Sequence, residues 1–268
     1  MPHSQRNHEG VSAIHGQGPK SLLATPIAAI RAAVHRSLRE LVTKYPAVRS
    51  VLRPTALWAA IIILTVRGRG RVPSRRVLRW LRYGWANQGY SGSVEYVEEV
   101  ARQASATRGP IVEAGSGLTS IVLSYVAPRE QRVVSLEHLP QWAERVSRYM
   151  SGHGHGAHQV LSRPLTRYDG YDWYAVTPGD LPADVTLAIV DGPPGGTRGG
   201  RYGVLPQLAA RFRSDAVLLL DDADRWHERR VLARWAQDFG ARVEVRKDGS
   251  RAFAVIRLAE RETGTATP

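Results

Sequence analysis

Cysteine is absent from the 268 residues. Disulfides and thiolate metal ligands are therefore excluded, and no redox compartment can be inferred from bridges. Lysine is nearly absent as well: Lys20, Lys44 and Lys247 are the only three among 37 basic residues, so the positive charge is carried by arginine. No apolar run approaches the ~20 residues that a bilayer-spanning helix needs. The longest, Ala56 to Val66, has eleven. Nor is there a long apolar segment behind residues 1–20, so a signal peptide is not expected. No internal repeat is visible.

The apolar fraction of 43% and charged fraction of 23% are those of a soluble globular protein. The length allows one large core, or one core with a smaller appendage. The net charge of +13 is placed unevenly, with +12 on residues 1–109 and +1 on residues 110–268. Such a charge suits nucleic acid, an anionic lipid surface or an acidic substrate. Because the C-terminal part is close to neutral, a nucleic acid gripped across the whole molecule is not expected.

Residues 1–20, rich in Gly and Pro, read as a disordered leader, and residues 261–268 as a tail. Between Ser21 and Val51 apolar residues recur at helical spacing (Leu22, Ile27, Ile30, Val34, Leu38, Leu41), which predicts one or two amphipathic helices. The second should end at Tyr45-Pro46, since a residue before proline is pushed out of the helical region. The apolar run Ala56–Val66 is followed by Arg67, Arg69, Arg71, Arg75, Arg76, Arg79 and Arg82 with no intervening acid. That pairing fits either a buried helix followed by a solvated basic one, or a peripheral anchor on an anionic membrane through residues 56–82. The polar, aromatic stretch Trp85–Ser93 precedes a helix over 94–103 and is positioned to cap the core or close over a ligand. Residues 21–105 are thus expected to form a basic helical extension, serving as a lid or a homodimer arm, and residues 106–260 the main domain.

From residue 110 onward strand and helix alternate. Strands are predicted at Pro110–Glu113, Arg132–Glu137, Gln159–Leu161, Val185–Asp191, Ala216–Asp221, Arg242–Val245 and Ala252–Leu258, with helices over 118–127, 140–151, 202–213 and 225–238. Continuous apolar strands such as Leu187–Val190 and Ala216–Leu220 indicate a doubly wound, mostly parallel seven-stranded sheet buried on both faces. Asp248-Gly249 between the last two strands signals a hairpin, so the last strand should be antiparallel. Tyr168–Tyr174 reads as an aromatic loop on the carboxyl side of the sheet, the edge where open α/β sheets bind ligands.

Gly109 to Ser120 reads strand, tight turn, helix, with glycines at 115 and 117 where a ligand can approach the backbone and meet the amides of the next helix. Four strand ends converge on the same rim: Glu113, Glu137, Asp191 and the pair Asp221-Asp222. Glu137 lies 20 residues beyond Gly117, the spacing at which an acid can accept hydrogen bonds from ribose hydroxyls.

On Val112-Glu113-Ala114-Gly115-Ser116-Gly117, Ser135-Leu136-Glu137-His138, Asp191-Gly192-Pro193-Pro194-Gly195, Leu220-Asp221-Asp222 and the closing hairpin, the chain resembles the class I S-adenosylmethionine-dependent methyltransferases from Trp85 to Leu258. The hairpin counts against a dehydrogenase. The resemblance implies a Rossmann-like methyltransferase fold and a cytoplasmic enzyme that methylates an oxygen of a small-molecule or sugar-containing acceptor. It assigns Glu113, Gly115 and Gly117 to the methionine end of the cofactor and Glu137 to its ribose, with Ser116, Thr119 and His138 beside them. Thr119 stands where the family often has a third glycine.

Methyl transfer to oxygen needs a general base or a divalent ion to remove the acceptor proton. Asp191 faces the expected methyl group, and His227, five residues beyond Asp222, is the candidate base. Asp191, Asp221 and Asp222 resemble the three oxygen ligands of the catechol-type and macrolide-sugar O-methyltransferases and would suit Mg2+. The alternative is that Asp221-Asp222 cap the helix containing Trp226. His153, His155 and His158, in a Gly/His stretch, read as a solvated connection. The competing functions are the same fold acting on RNA through its arginines, and a non-enzymatic membrane-surface protein with a vestigial cofactor fold.

Overall fold

The computed structural model describes residues 44–67, 69–87, 89–151, 157–249 and 251–259. The leader, most of the amphipathic stretch 21–51, His153, His155 and the tail lie outside these residues. One compact unit runs from Leu52 to the C-terminus.

Helix α1 (Pro46–Arg67) begins at a proline, whose missing N–H costs nothing in a first helical turn. It is 22 residues long and contains the eleven-residue apolar run together with Arg49, Arg53 and Arg67, and by length and composition it could cross a bilayer. Leu57, Ala60, Ile61 and Leu64 are nevertheless buried in the protein core. Helices α2 (Arg75–Trp85) and α3 (Val94–Ala106) follow. Gly84 lets α1 come close, because a Cβ there would lie 2.6 Å from the Leu57 backbone nitrogen.

The sheet contains β1 (Ile111–Ala114), β2 (Val133–Glu137), β3 (His158–Ser162), β6 (Val185–Val190), β7 (Phe212–Leu220), β8 (Arg242–Asp248) and β9 (Arg251–Arg257). Its order is β3-β2-β1-β6-β7-β9-β8, parallel from β3 to β7, with β9 antiparallel to both β7 and β8. A separate hairpin joins β4 (Leu165–Tyr168) to β5 (Tyr171–Tyr174). The helices between strands are α4 (Leu118–Val126), α5 (Pro140–Ser151), α6 (Val204–Leu208) and α7 (Trp226–Phe239).

Side chains alternate across the sheet, and the alternation divides the core in two. Ile111, Val133, Leu187, Ile189, Leu219 and Val255 pack with α1 to α5, while Val112, Val134, Leu136, Ala188, Leu218 and Ile256 pack with the β4–β5 hairpin, α6 and α7. Leu78, Leu81, Trp85, Tyr96 and Val97 belong to the first of these layers. The helices before residue 106 are therefore part of the sheet's own core, and the expected boundary at 105/106 is not a division between compact units.

Three local expectations are revised. Tyr168–Tyr174 is a β-hairpin turning at Asp169-Gly170, the same dipeptide signal that marks the terminal hairpin. The helix expected over 202–213 is a short helix framed by single 3₁₀ turns and gives way to β7 at Phe212. His158 opens β3, with its Nε2 2.8 Å from the Ser135 hydroxyl, so it is not part of a solvated connection.

Candidate ligand site at the carboxyl edge of the sheet

The turn after β1 is built on Gly115, whose φ of +89° favours glycine. A Cβ there would also strike the Asp191–Gly192 backbone, 2.6 Å from the Gly192 nitrogen. Gly117 differs: its backbone is extended, and a Cβ built on it meets nothing within 4 Å. Space beside Gly117 thus opens into a cavity of about 440 Å³, lined by Gly115, Ser116, Gly117, Thr119, Glu137, His138 and Asp191 among others. That volume lies in the range of small-molecule sites.

Glu137 ends β2 and is almost fully buried. Its Oε2 accepts the Ser116 N–H and hydroxyl, both at 3.1 Å, and its Oε1 accepts the His138 and Leu139 N–H groups at 2.8 and 3.0 Å. His138 Nδ1 is a further 3.0 Å from Oε1. One carboxylate therefore ties the glycine turn to the start of α5. Trp142 on that helix donates its indole N–H to Ser116 O at 2.8 Å, and the Arg145 guanidinium lies 5.1 Å from the ring centroids of both Trp85 and Trp142.

Glu113, expected at the cofactor, is not on the cavity wall. It shares the parity of Ile111, and that parity points it beneath α4, where the Ser120 hydroxyl donates at 2.5 Å and the Ser135 hydroxyl donates as well. Burial pushes its carboxyl up to about 7, against the pull of those hydroxyls. Ser120 also accepts the Gly117 N–H at 2.9 Å, so Glu113 acts on the turn from below.

His227, the expected base, is also misplaced by the sequence reading. Helix α7 starts at Trp226, and its rotation of ~100° per residue turns Glu228 inward and leaves His227 exposed and stacked edge-on against Trp226. It does not line the cavity.

Asp191, Asp221 and Asp222 do come together, with ligand-type oxygens within 4.8 Å of one another. Asp222 holds a left-handed φ of +58°, which Asp tolerates better than most residues. The cluster already contains cations that no motif announces. Arg201, whose side chain is 3% exposed, donates through Nη1 to Asp221 O at 2.7 Å and through Nη2 to Asp191 O at 2.9 Å and Asp191 Oδ1 at 3.1 Å. The same Nη2 is 3.5 Å from Asp222 Oδ2, and Nε is 3.8 Å from Glu228 Oε1. Arg251 donates to Asp221 Oδ2 at 3.1 Å and Asp222 Oδ1 at 2.7 Å, while Arg225 Nη1 lies 2.9 Å from Asp222 Oδ2. Four acids thus face three arginines. Burial and the neighbouring Asp221 raise the Asp191 carboxyl well above its usual range, with Arg201 opposing, and burial with Asp222 raises Asp221 to about 6.

Arg201 and Arg251 follow, respectively, a double glycine and a turn, and no spacing rule picks them out. Tyr174 is the other contributor: the residue lines the cavity, and its hydroxyl is buried beside Gly192 without a hydrogen-bond partner. Only its place in an aromatic stretch hinted at that role.

No protein-family model matches the chain, and no curated protein does. Among solved structures it is similar to cofactor-bound Rv0187 from MTB, at 18% identity and a TM-score of 0.52 over 76% of this chain and 90% of that one. A protein from Corynebacterium glutamicum aligns at 13% identity and a TM-score of 0.50 over 68% and 89%. The O-methyltransferase TomG from Streptomyces achromogenes, in complex with SAM, aligns at 17% identity and a TM-score of 0.46 over 63% and 82%. With the strand order and antiparallel last strand described above, these likenesses show a doubly wound, Rossmann-like fold with a mostly parallel seven-stranded sheet.

Proposed function

We propose that this protein is an S-adenosylmethionine-dependent methyltransferase that methylates an oxygen of a small-molecule or sugar-containing acceptor. The observation that carries this is the cavity at the carboxyl edge, where the open backbone at Gly117, the Glu137 carboxylate and the Asp191 loop face one space. Gly115, Ser116, Gly117 and Thr119 would hold the methionine end of the donor. Glu137 and His138 would hold the ribose, a hydroxyl of which would take the place of the Ser116 hydroxyl or the His138 ring on the carboxylate. Bound, the donor supplies an electrophilic methyl group. The chain's own part is to fix the acceptor against the stiff Asp191-Gly192-Pro193-Pro194 loop, and positioning is a large share of what a transferase contributes. Asp191 is the acid nearest that position and would accept the acceptor's proton.

Calorimetry should show micromolar donor binding that is weakened at least tenfold by Glu137→Ala. Gly117→Ala is the cleaner probe. A Cβ there meets no protein atom within 4 Å, so the variant should melt like the wild type yet lose donor affinity. Absence of binding by the wild-type protein overturns the proposal.

A second reading concerns where the enzyme works. On α1, Trp58, Ile62 and Val66 are 61%, 57% and 80% exposed, and exposed Arg67, Arg71, Arg76 and Arg79 follow in sequence. Apolar side chains at interfacial depth beside arginines suit an anionic bilayer, at ~1 kcal/mol per basic residue. This supports peripheral attachment through residues 56–82. A homodimer arm is the competing use of the same helix, and RNA is the competing partner of the same arginines.

A further inference from the structure

The acid cluster at the ends of β6 and β7 invites a divalent ion by composition and spacing, but its surroundings disagree. Every carboxylate of the three already meets a guanidinium: Asp191 meets Arg201, Asp221 meets Arg251, and Asp222 meets Arg201, Arg225 and Arg251. A hard cation of the magnesium type requires a nearly complete octahedron of oxygen ligands and water, free of competing positive charge. Arg201 is buried and anchored to two main-chain carbonyls, Asp191 O and Asp221 O, so it cannot swing aside to admit an ion without leaving both carbonyls behind.

We infer that Arg201 and Arg251 are the resident cations of this cluster and that the protein works without a divalent metal there. In this arrangement the guanidinium of Arg201 does the positioning that an ion would otherwise do. It joins the Asp191 loop, which borders the cavity, to the Asp221-Asp222 turn at the end of β7, and it presents a fixed positive charge to the cavity wall. Arg201 is accordingly a positioning residue. The inference concerns cation binding and stands apart from donor binding, so the two can fail separately.

The test is a titration of the full-length protein with Mn2+, followed by the electron paramagnetic resonance signal of the free aquo ion. The wild type should leave that signal as in buffer at millimolar metal, and donor affinity should change by less than twofold between Mg2+ and EDTA. Saturable binding of one Mn2+ per chain, abolished by Asp191→Asn, would overturn the inference. A double-mutant cycle adds a second readout. Arg201→Met alone should lower the melting temperature sharply, because it strands buried acids, and adding Asp191→Asn should recover part of the loss. Additive effects in the cycle would contradict a clamp made by Arg201. If Arg201→Met does not fold, the Mn2+ titration decides alone.

Discussion

Glu113 shows how much one parity decides. A residue earlier or later on β1 would face the opposite layer; at 113 the carboxyl is sealed under α4 among Ser120, Thr119 and Ser135, with His158 touching Ser135 from β3. With its pKa near 7 in the folded protein against an ordinary 4.5, the native state binds the proton more tightly than the unfolded chain. Stability contributed by this group is therefore present below the unfolded value and is lost as pH rises toward 7, by about 3 kcal/mol for a shift of this size. Glu113→Gln should flatten that part of the profile and make the protein more stable than the wild type at pH 8. Denaturant midpoints measured from pH 4 to 8 check this, and parallel profiles for the two proteins would refute it. The sequence shows an acid at a strand end; it does not show which side of the sheet that acid faces, because β1 is only four residues long and apolar on both faces.

Among the elements, α1 departs most from its sequence pattern. Its buried stripe, Leu57, Ala60, Ile61 and Leu64, recurs at helical spacing, and so does the exposed stripe Trp58, Ile62 and Val66. Between Ala56 and Leu64 both faces of the helix are apolar, so this part gives little moment to read, and polar residues mark the outer face only toward its ends. If the exposed stripe lies on a bilayer, sedimentation with phosphatidylglycerol vesicles should exceed that with phosphatidylcholine vesicles, and Trp58→Glu with Ile62→Glu should abolish the difference. Equal recovery with both lipids, or no effect of the substitutions, would leave the stripe to a protein partner. The β4–β5 hairpin illustrates a different difficulty. Asp169-Gly170 carries the same turn chemistry as Asp248-Gly249, but the flanking strands are four residues each, too short for alternation to stand out from an aromatic loop.

At the scale of the molecule, strand positions, parallel winding and the closing hairpin were legible because continuous apolar strands and turn dipeptides are local signals. The extent of the folding unit was not. Composition shifts from basic to neutral near residue 109, yet the core does not: Tyr96 donates its hydroxyl to Leu219 O at 3.3 Å, and Trp85, Val97 and Val100 fill the layer beneath β1 and β6. Charge describes the surface and carries little information about which buried faces match. A chain beginning at Thr107 should therefore fail to melt cooperatively, since it would uncover several large side chains worth ~1.5–3 kcal/mol each. A sharp thermal transition from that truncated chain would show that the sheet folds without its preceding helices.

Arg201 and Arg251 were equally invisible, since ion pairs between residues 10 to 30 positions apart leave no periodic trace. One of them reaches further than the acid cluster. Arg251 donates through Nη1 to Ser91 O at 3.0 Å while its Nη2 holds Asp221 and Asp222, and Arg82 holds the neighbouring Gly92 carbonyl at 2.9 Å. The cavity wall that includes Ser91 and Gly92 is thus wired to the same charges that brace the Asp191 loop. Displacement of that wall and the electrostatic state of the aspartates are thermodynamically linked, so a ligand that favours one arrangement must shift the other by the same factor.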